Sequence, residues 1–487
     1  MALGEVDYGL MGVVGGLTAF VSFFNSLLAG AVGRFYAFSV GASHKEGNEQ
    51  QGIEECRKWF NTALMIHTLV PVVLMLIGYP FGEWAVRHFL TIPSDRIQAC
   101  VWVWRFTCIS CFVGMFNVPF AAMYGAKQEI AELTIYSFVT TTLNAAFLYY
   151  IVNHPSVWLV QYAMWTCVLS IVPQMIISVN AMVKYKECHF NAAYLFSRER
   201  LKGICVYAFA RFWAELSIML GSQARAIMVN KFEGPQLNAS MAIGNNVASH
   251  ATTLAGSLVG AFWPVVMNKA GEGAHEEMRR YAMMANRIGT LFVLIFALPL
   301  MMEITEVLHL WLVTPPEFTA EVCVTVLASR ILSSSIEGHA MMIIGVGNGV
   351  MRYSWISGWL GIALVGLAYI LFVCGLGMWS VCISLFLVPV AVIILRLVMC
   401  KSLVNVEASY WFKEVAIPIF LLICATLAIG CIPRFTMPAS FMRVLITTCA
   451  MELVLVLASW FFVLTKSERE FAHNKLVSLV IKIRGRS

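Results

Sequence analysis

Long apolar runs separated by short polar segments dominate this chain. A helix needs about 20 apolar residues to cross the roughly 30 Å hydrocarbon core of a bilayer. Runs of that length lie near residues 10–40, 58–80, 98–125, 131–152, 157–182, 203–231, 235–262, 281–303, 320–345, 351–374, 377–400, 411–431 and 443–465. The pattern therefore predicts an all-α polytopic membrane protein with about 13 transmembrane helices.

Composition agrees with this class and excludes several others. Hydrophobic residues make up 60% of the 487 residues and charged residues 12%, against about 25% charged residues in a soluble domain. The chain has no GxxxxGK[ST] or GxSxG motif and no long polar segment that would form a catalytic domain. The 14 cysteines lie mostly in spans and lack metal-ligand spacing. We therefore expect neither an enzyme nor a metal site.

The basic residues predict the orientation in the membrane. Most Lys and Arg residues outside the spans fall in alternate loops and in the tail after residue 465, and such loops are retained in the cytoplasm. The C-terminus is therefore predicted to be cytoplasmic, and the net charge of +6 reflects topology and contact with membrane lipids rather than nucleic acid. An odd number of spans then places Met1 outside, which we interpret as the absence of a first helix.

A weak internal repeat divides the chain. Leu90, Pro93 and Gly125 align with Leu312, Pro315 and Gly347 at a constant offset. The repeated spans run in the same direction, so the sequence predicts two pseudo-symmetric helical lobes. The expected divisions are an N-lobe at 1–183 lacking one helix, a C-lobe at 203–400, an additional helix pair at 411–465 and a basic cytoplasmic tail at 466–487.

Arginines within the apolar spans are the main candidates for function. A charged group at membrane depth is costly and usually faces a cavity or pathway, and the planar guanidinium suits bidentate binding of phosphate. These candidates are Arg225, Arg330, Arg211, Arg34, Arg105 and Arg287. Two alternatives remain open, because Arg34 and Arg287 lie close enough to a span end to reach the interface, and Arg211 has Glu215 four residues on.

Polar and acidic residues in the spans complete the candidate set. Asn25, Asn246 and Gln223 are weaker candidates for binding sugar hydroxyls, although hydrogen bonds between helices explain them equally well. Glu215 and Glu337 are candidates for carrying a coupling proton or for structural ion pairs, and a coupling proton or sodium ion is the only cofactor considered. Glu452 has no obvious partner.

Two segments resemble a known family. The sequence "LGEVDYGLMGVVGG", followed by "FFNSLLAGAVGRFYAFSVG", and the later "NVPFAAMYGAKQEI" are similar to bacterial polysaccharide flippases. These are the O-antigen and capsule exporters of the multidrug/oligosaccharidyl-lipid/polysaccharide superfamily. Arg34 matches the Arg-Phe pair of that family. The absent first helix departs from its pattern.

The resemblance implies a function and a location. Such a transporter would flip a polyprenyl-pyrophosphate-linked oligosaccharide from the inner to the outer leaflet of a bacterial inner membrane, by alternating access, for lipopolysaccharide or other surface polysaccharide synthesis. A polysaccharide polymerase is a conceivable partner. The alternative is a cation-coupled multidrug exporter of the same superfamily. Against it, the six arginines within the spans outnumber the clear acids.

Overall fold

A computed structural model describes residues 25–42, 49–89, 92, 94–153, 159–233, 235–312, 314–347 and 349–470. Residues 10–24 of the span predicted at 10–40 and residues 471–487 of the tail predicted at 466–487 lie outside these residues. Helices account for nearly all of the described chain, and no strand occurs in it. The prediction of an all-α polytopic membrane protein is confirmed.

The helices follow the apolar runs closely. Residues 25–42 form α1. The others are α2 (Glu49–Trp84), α3 (Ile97–Ala126), α4 (Ile130–Asn153), α5 (Leu159–Lys184), α6 (Arg198–Glu233), α7 (Pro235–Glu272), α8 (His275–Trp311), α9 (Thr319–Ser334), α10 (Glu337–Val346), α11 (Val350–Val373), α12 (Met378–Val404), α13 (Ala408–Thr436) and α14 (Phe441–Val463).

Ten of the described helices are long and apolar enough to cross a membrane, and the bent pair α9 and α10 makes eleven if it is one span. Helices α1 and α4 coincide with the two remaining predicted spans. Every predicted span therefore overlaps a helix in the described part of the chain.

One predicted span is broken. The run at 320–345 forms two helices, α9 and α10, bent by 40°. The backbone groups freed at the break have side-chain partners: the indole of Trp411 donates to the carbonyl of Ser335 at 2.8 Å, and Arg396 donates to that of Ile336 at 3.2 Å. These hydrogen bonds allow a non-helical segment inside an apolar region, because each unpaired backbone group there costs several kcal/mol.

The contacts divide the chain into two compact units. The first comprises the residues up to Phe209 together with Met267–Gly273, and the second comprises Ala210–Val266 together with the residues from Ala274 onward. These limits reflect contacts within the chain. The lobes at 1–183 and 203–400 stay a prediction.

Each unit has its own apolar core. In the first unit, α2, α3 and α5 pack around Val86, Cys100, Val101, Trp104 and Leu159. In the second unit, α8 packs against α9 through Ile304, Leu308 and Cys323. Many large apolar side chains outside these cores are exposed, as expected of helices that face lipid.

Candidate functional site

Two of the candidate arginines have no carboxylate partner among the residues that the structure describes. Arg225 is half-buried on α6, and Arg330 is exposed on α9. In the described part of the second unit, neither guanidinium forms an ion pair. Arg225 lies beside Gly221, where an added Cβ would be 3.8 Å from Nη1 of Arg225 and 3.2 Å from Val365. The glycine therefore lets Val365 of α11 pack closely against α6 beside the guanidinium.

Arg211 differs because its charge is neutralised locally. Its Nη2 donates to Oε1 of Glu215 at 2.6 Å, one turn further along α6. Both side chains keep about a third of their exposure, at 32% and 36%. The four-residue spacing predicted this contact. Of the two alternatives for Glu215, the structure contains the ion pair.

Arg34 lines a cavity within the first unit. Its Cζ lies 5.2 Å from the ring centroid of Phe35 and 5.6 Å from that of Tyr207. The cavity has a volume of about 320 Å³. Its lining consists of Arg34, Phe35, Phe38, Ser39, Ala42, Gln51, Gly52, Glu55 and Trp59. Arg34, one of the candidates from the sequence, therefore lines a defined concave site.

Arg105 forms an ion pair on the surface of the first unit. Its Nη2 lies 3.3 Å from Oε1 of Glu83, which also accepts from Arg87 at 2.8 Å. Its Cζ lies 5.0 Å from the ring centroid of Trp102. One carboxylate therefore balances two guanidinium groups, and part of the positive charge stays uncompensated by Glu83.

Arg287 is the most enclosed of the six arginines. It is 3% exposed, and it bonds to Oε2 of Glu414 at 3.1 Å and to Oε1 of Glu468 at 2.5 Å. Glu468 is itself 5% exposed, and it accepts from the backbone N–H of Thr465 at 2.8 Å at the start of the C-terminal segment. The geometry favours a structural role that connects α8 to α13 and to the tail.

Glu337 also has an ion-pair partner. At the first turn of α10 it accepts from Nη1 of Arg396 at 2.8 Å. Arg396 lies within α12 and bonds further to the hydroxyl of Tyr353 at 2.9 Å. On the sequence, Arg330 is seven residues before Glu337 and would lie on the same face of a continuous helix. The break between α9 and α10 separates those two residues instead.

A charged cluster at the other end of α8 was missed by the sequence interpretation. Glu303 is fully buried, at a non-helical position within α8 (φ −114°, ψ 22°). Its carboxylate accepts from Arg443 at 2.8 Å and from Thr447 at 3.0 Å. Arg443 also lies 3.3 Å from Glu306. The sequence did contain a signal for this cluster. Two acids, Glu303 and Glu306, lie at the end of one predicted span, and Arg434 and Arg443 lie next to the last two predicted spans.

The remaining polar candidates stand apart from these clusters. Gln223 and Asn246 are exposed, and Asn25 is half-buried with an Oδ1 atom that has no described hydrogen-bond partner. Glu452 is half-buried at the middle of α14 and has no ion pair among the described residues. Within the described chain no group of three metal-ligating side chains occurs.

A cluster outside the spans fixes the end of α5. Lys184 donates to Glu129 at 2.5 Å and also to Glu132. The hydrogen bond from Lys184 lowers the pKa of the Glu129 carboxyl, with a further contribution from Tyr185. Burial, followed by the hydrogen bond to Glu129, raises the pKa of the Tyr185 phenol. Both shifts keep the cluster in its ion-paired form at neutral pH.

Comparison with known proteins shows the fold. No protein-family model and no curated protein matches the chain. An outward-facing multidrug resistance MATE family transporter of the MOP superfamily is 15% identical, with a TM-score of 0.69 over 83% of this chain and 89% of that one. MATE in its straight conformation is 15% identical, with a TM-score of 0.67 and coverage of 83% and 90%.

A third solved structure differs in its binding pocket. It is a MOP superfamily transporter from Pyrococcus furiosus, for which a reverse polarity of the pocket suggests a different function. It is 14% identical, with a TM-score of 0.64 and coverage of 82% of this chain and 92% of that one. The chain therefore has the fold of MOP superfamily membrane transporters, and the finer specificity of a polysaccharide flippase stays a prediction.

Proposed function

We propose that the protein is a membrane transporter that flips a polyprenyl-pyrophosphate-linked oligosaccharide from the inner to the outer leaflet by alternating access. The fold it shares with MOP superfamily transporters supports transport. Its place would be the bacterial inner membrane, with the C-terminus in the cytoplasm and the glycan destined for the cell surface.

The charge balance within the spans carries this proposal. The carboxylates of Glu215, Glu303 and Glu337 are each bound to an arginine. Arg225 and Arg330, in contrast, have no carboxylate partner within the described chain. Uncompensated charge at membrane depth is therefore mainly positive, and such charge attracts an anion such as pyrophosphate.

Multidrug export is the second candidate function, and two observations favour it. The MATE structures with this fold include a multidrug resistance transporter, and Glu452 is a carboxylate in mid-span that has no ion pair among the described residues. An amphipathic cation needs such a free acid. The pocket polarity of the Pyrococcus furiosus transporter supports the view that charge distinguishes functions on this fold.

The test uses a host strain in which the gene is deleted and then supplied as Arg225→Ala or Arg330→Ala. Each substitution removes charge-assisted hydrogen bonds of about 1.5–3 kcal/mol, so surface polysaccharide should fall about tenfold or more. Lipid-linked oligosaccharide should accumulate in the inner membrane at an unchanged protein level. Arg352→Ala removes an exposed arginine in the first turn of α11 and serves as the matched control.

The same strains separate the two functions. Normal surface polysaccharide in both variants would contradict the pyrophosphate assignment. Export of drugs would be supported instead if the deletion strain has unchanged glycan and increased sensitivity to cationic drugs. In that case the wild-type gene should restore drug resistance, and Glu452→Gln should fail to restore it.

A further inference from the structure

A cluster of two arginines and one glutamate lies at the end of α2 in the first unit. Glu83 is the next-to-last residue of α2, and Arg87 follows it in a π-helical turn formed by Ala85–Phe89. Arg105 lies about two turns into α3. Single π-helical turns are frequent at functional sites, and the transport proposal assigns no role to these three residues. The predicted orientation places this end of the unit at the outer surface of the membrane.

The cluster contains more cations than acids. Oε1 of Glu83 accepts from Nη2 of Arg87 at 2.8 Å and from Nη2 of Arg105 at 3.3 Å. Among the described residues, Glu83 is the carboxylate within ion-pair distance of either guanidinium. One negative charge therefore faces two positive charges, and the cluster as a whole is positive.

Several N–H groups of the two guanidinium groups are unused. Nε of Arg105 is buried and has no hydrogen-bond partner. The described hydrogen bonds of both side chains are made through Nε and Nη2 of Arg87 and Nη2 of Arg105, which leaves both Nη1 groups unused. Buried donors in proteins are normally paired with an acceptor. Guanidinium N–H groups suit the oxygens of a phosphate, which they bind in pairs.

Trp102 fixes the orientation of Arg105. Cζ of Arg105 lies over the indole, 5.0 Å from the ring centroid, so the ring covers one face of the guanidinium. Hydrogen bonds to an anion are made in the plane of the guanidinium and are therefore compatible with this contact. The ring restrains the charged group without using any of its donors.

Exposed aromatic residues place the cluster at the level of the lipid headgroups. Trp102 is 41% exposed, and Phe81 and Trp84 on α2 are 60% and 51% exposed. Tryptophan is enriched where the hydrocarbon core meets the headgroups, because its ring is apolar and its N–H is polar. Phosphate is the anion that most membrane lipids present at this level. A lipid phosphate therefore fits the charge, the free donors and the depth of the cluster.

We propose that Arg87 and Arg105 bind the phosphate group of a lipid at the outer surface of the membrane. Their unused N–H groups donate to the phosphate oxygens, Trp102 positions Arg105, and Glu83 holds the two guanidinium groups together. Two lipids offer this chemistry, an anionic phospholipid of the membrane and the polyprenyl carrier after it has crossed. The inference goes beyond the proposed function, because a phospholipid would occupy the site whatever the protein transports.

The experiment locates the bound lipid by crosslinking. Purified full-length protein in a detergent without phosphate receives phosphatidylglycerol that carries a diazirine on its headgroup, and mass spectrometry maps the peptides labelled on irradiation. The label should fall on the segments that contain Arg87 and Arg105. Arg105→Gln should reduce this labelling about tenfold or more, because it removes the charge and the planar fork.

Glu83→Gln distinguishes a lipid site from a purely structural cluster. The carboxylate repels a phosphate, so its removal should increase labelling at a fixed probe concentration by about threefold or more. A structural cluster that lost its carboxylate would leave two arginines facing each other, and its labelling would not increase. Arg198→Ala is the matched control, since Arg198 is an exposed arginine at the start of α6 in the same unit. It should leave labelling of these segments unchanged.

Competition identifies the source of the phosphate. Displacement of the probe by unlabelled phosphatidylglycerol alone assigns the site to a membrane phospholipid, and displacement by polyprenyl phosphate at a lower concentration assigns it to the carrier lipid. Both results support the inference.

Three results would overturn it. The first is labelling that falls only on other segments, and the second is equal displacement by diacylglycerol, which has no phosphate. The third is a correctly folded Glu83→Gln protein with unchanged or reduced labelling, which decides the matter even if Arg105→Gln fails to fold.

Discussion

Arg211 and Arg287 show how differently one residue type is used within the apolar spans. Arg211 and its partner Glu215 share one helix and keep about a third of their exposure, so solvent or lipid headgroups compete with the contact. Arg287 is 3% exposed and joins carboxylates that are 127 and 181 residues away in the sequence. Removing the first arginine releases an accessible acid, whereas removing the second leaves a buried charge.

We therefore expect unequal costs from Arg287→Ala and Arg211→Ala. Loss of Arg287 strands Glu468 in the interior, for which about 3–5 kcal/mol of destabilisation is typical. Loss of a half-exposed helical pair costs about 0.5 kcal/mol or less. Thermal unfolding of the purified variants in detergent measures the difference.

A double variant, Arg287→Met with Glu468→Met, provides the control for this comparison. It removes both charges and should be more stable than Arg287→Ala alone, because no buried carboxylate is left unpaired. Equal melting temperatures for Arg287→Ala and Arg211→Ala would contradict the structural role of Arg287.

Sequence spacing found some of these contacts and missed others for a physical reason. The pairing of Arg211 with Glu215 follows from the four-residue repeat of a helix face. The partners of Glu337 and Glu303 lie 59 and 140 residues away. No local periodicity carries that information, because those contacts depend on which helices pack together. Arg225 and Arg330 have no carboxylate partner among the described residues, and their role in binding stays a prediction.

The helices themselves were more predictable than their contacts. Apolar run length is a local property, and every predicted span overlaps a helix in the described part of the chain, although α2, α7 and α8 extend up to about ten residues beyond the predicted ends. The break between α9 and α10 was not visible, because "ILSSSIEG" remains apolar enough for one span and contains no proline. Its stability depends on Trp411 and Arg396, which belong to α13 and α12.

Packing of α10 on α8 depends on a glycine at this break. A Cβ added to Gly338 would lie 2.0 Å from the carbonyl oxygen of Ala282, which is backbone and cannot rotate away. Gly338 also donates its N–H to Asn286 at 2.6 Å. Gly338→Ala should therefore destabilise the protein by about 1–3 kcal/mol, because the two helices must separate.

Gly366 in α11 provides the opposite case. Nothing lies within 4 Å of the position its Cβ would take, so Gly366→Ala should stabilise the helix by up to about 1 kcal/mol. Thermal unfolding of both variants in detergent tests the pair. A Gly338→Ala protein as stable as Gly366→Ala would show that α8 and α10 are not packed as described.

The distribution of loop charge makes one prediction about the complete protein. If basic loops are cytoplasmic, the C-terminus faces the cytoplasm. A green fluorescent protein fused after Ser487 should fluoresce in cells, whereas alkaline phosphatase fused at the same point should be inactive. The reverse result would invert the proposed direction of transport and move the Arg34 cavity to the outer surface.

The two charged clusters of α8 also have a consequence for biosynthesis. Arg287 and Glu303 enter the membrane before Glu414, Arg443 and Glu468 have been made. At roughly 5–20 residues per second, the ribosome needs on the order of ten seconds or more to supply those partners. During that interval the nascent helix holds opposite charges near its two ends with nothing to neutralise them. Water or the insertion machinery must solvate these charges in the meantime. The membrane insertion of α8 is therefore complete only after α13 and α14 have been made.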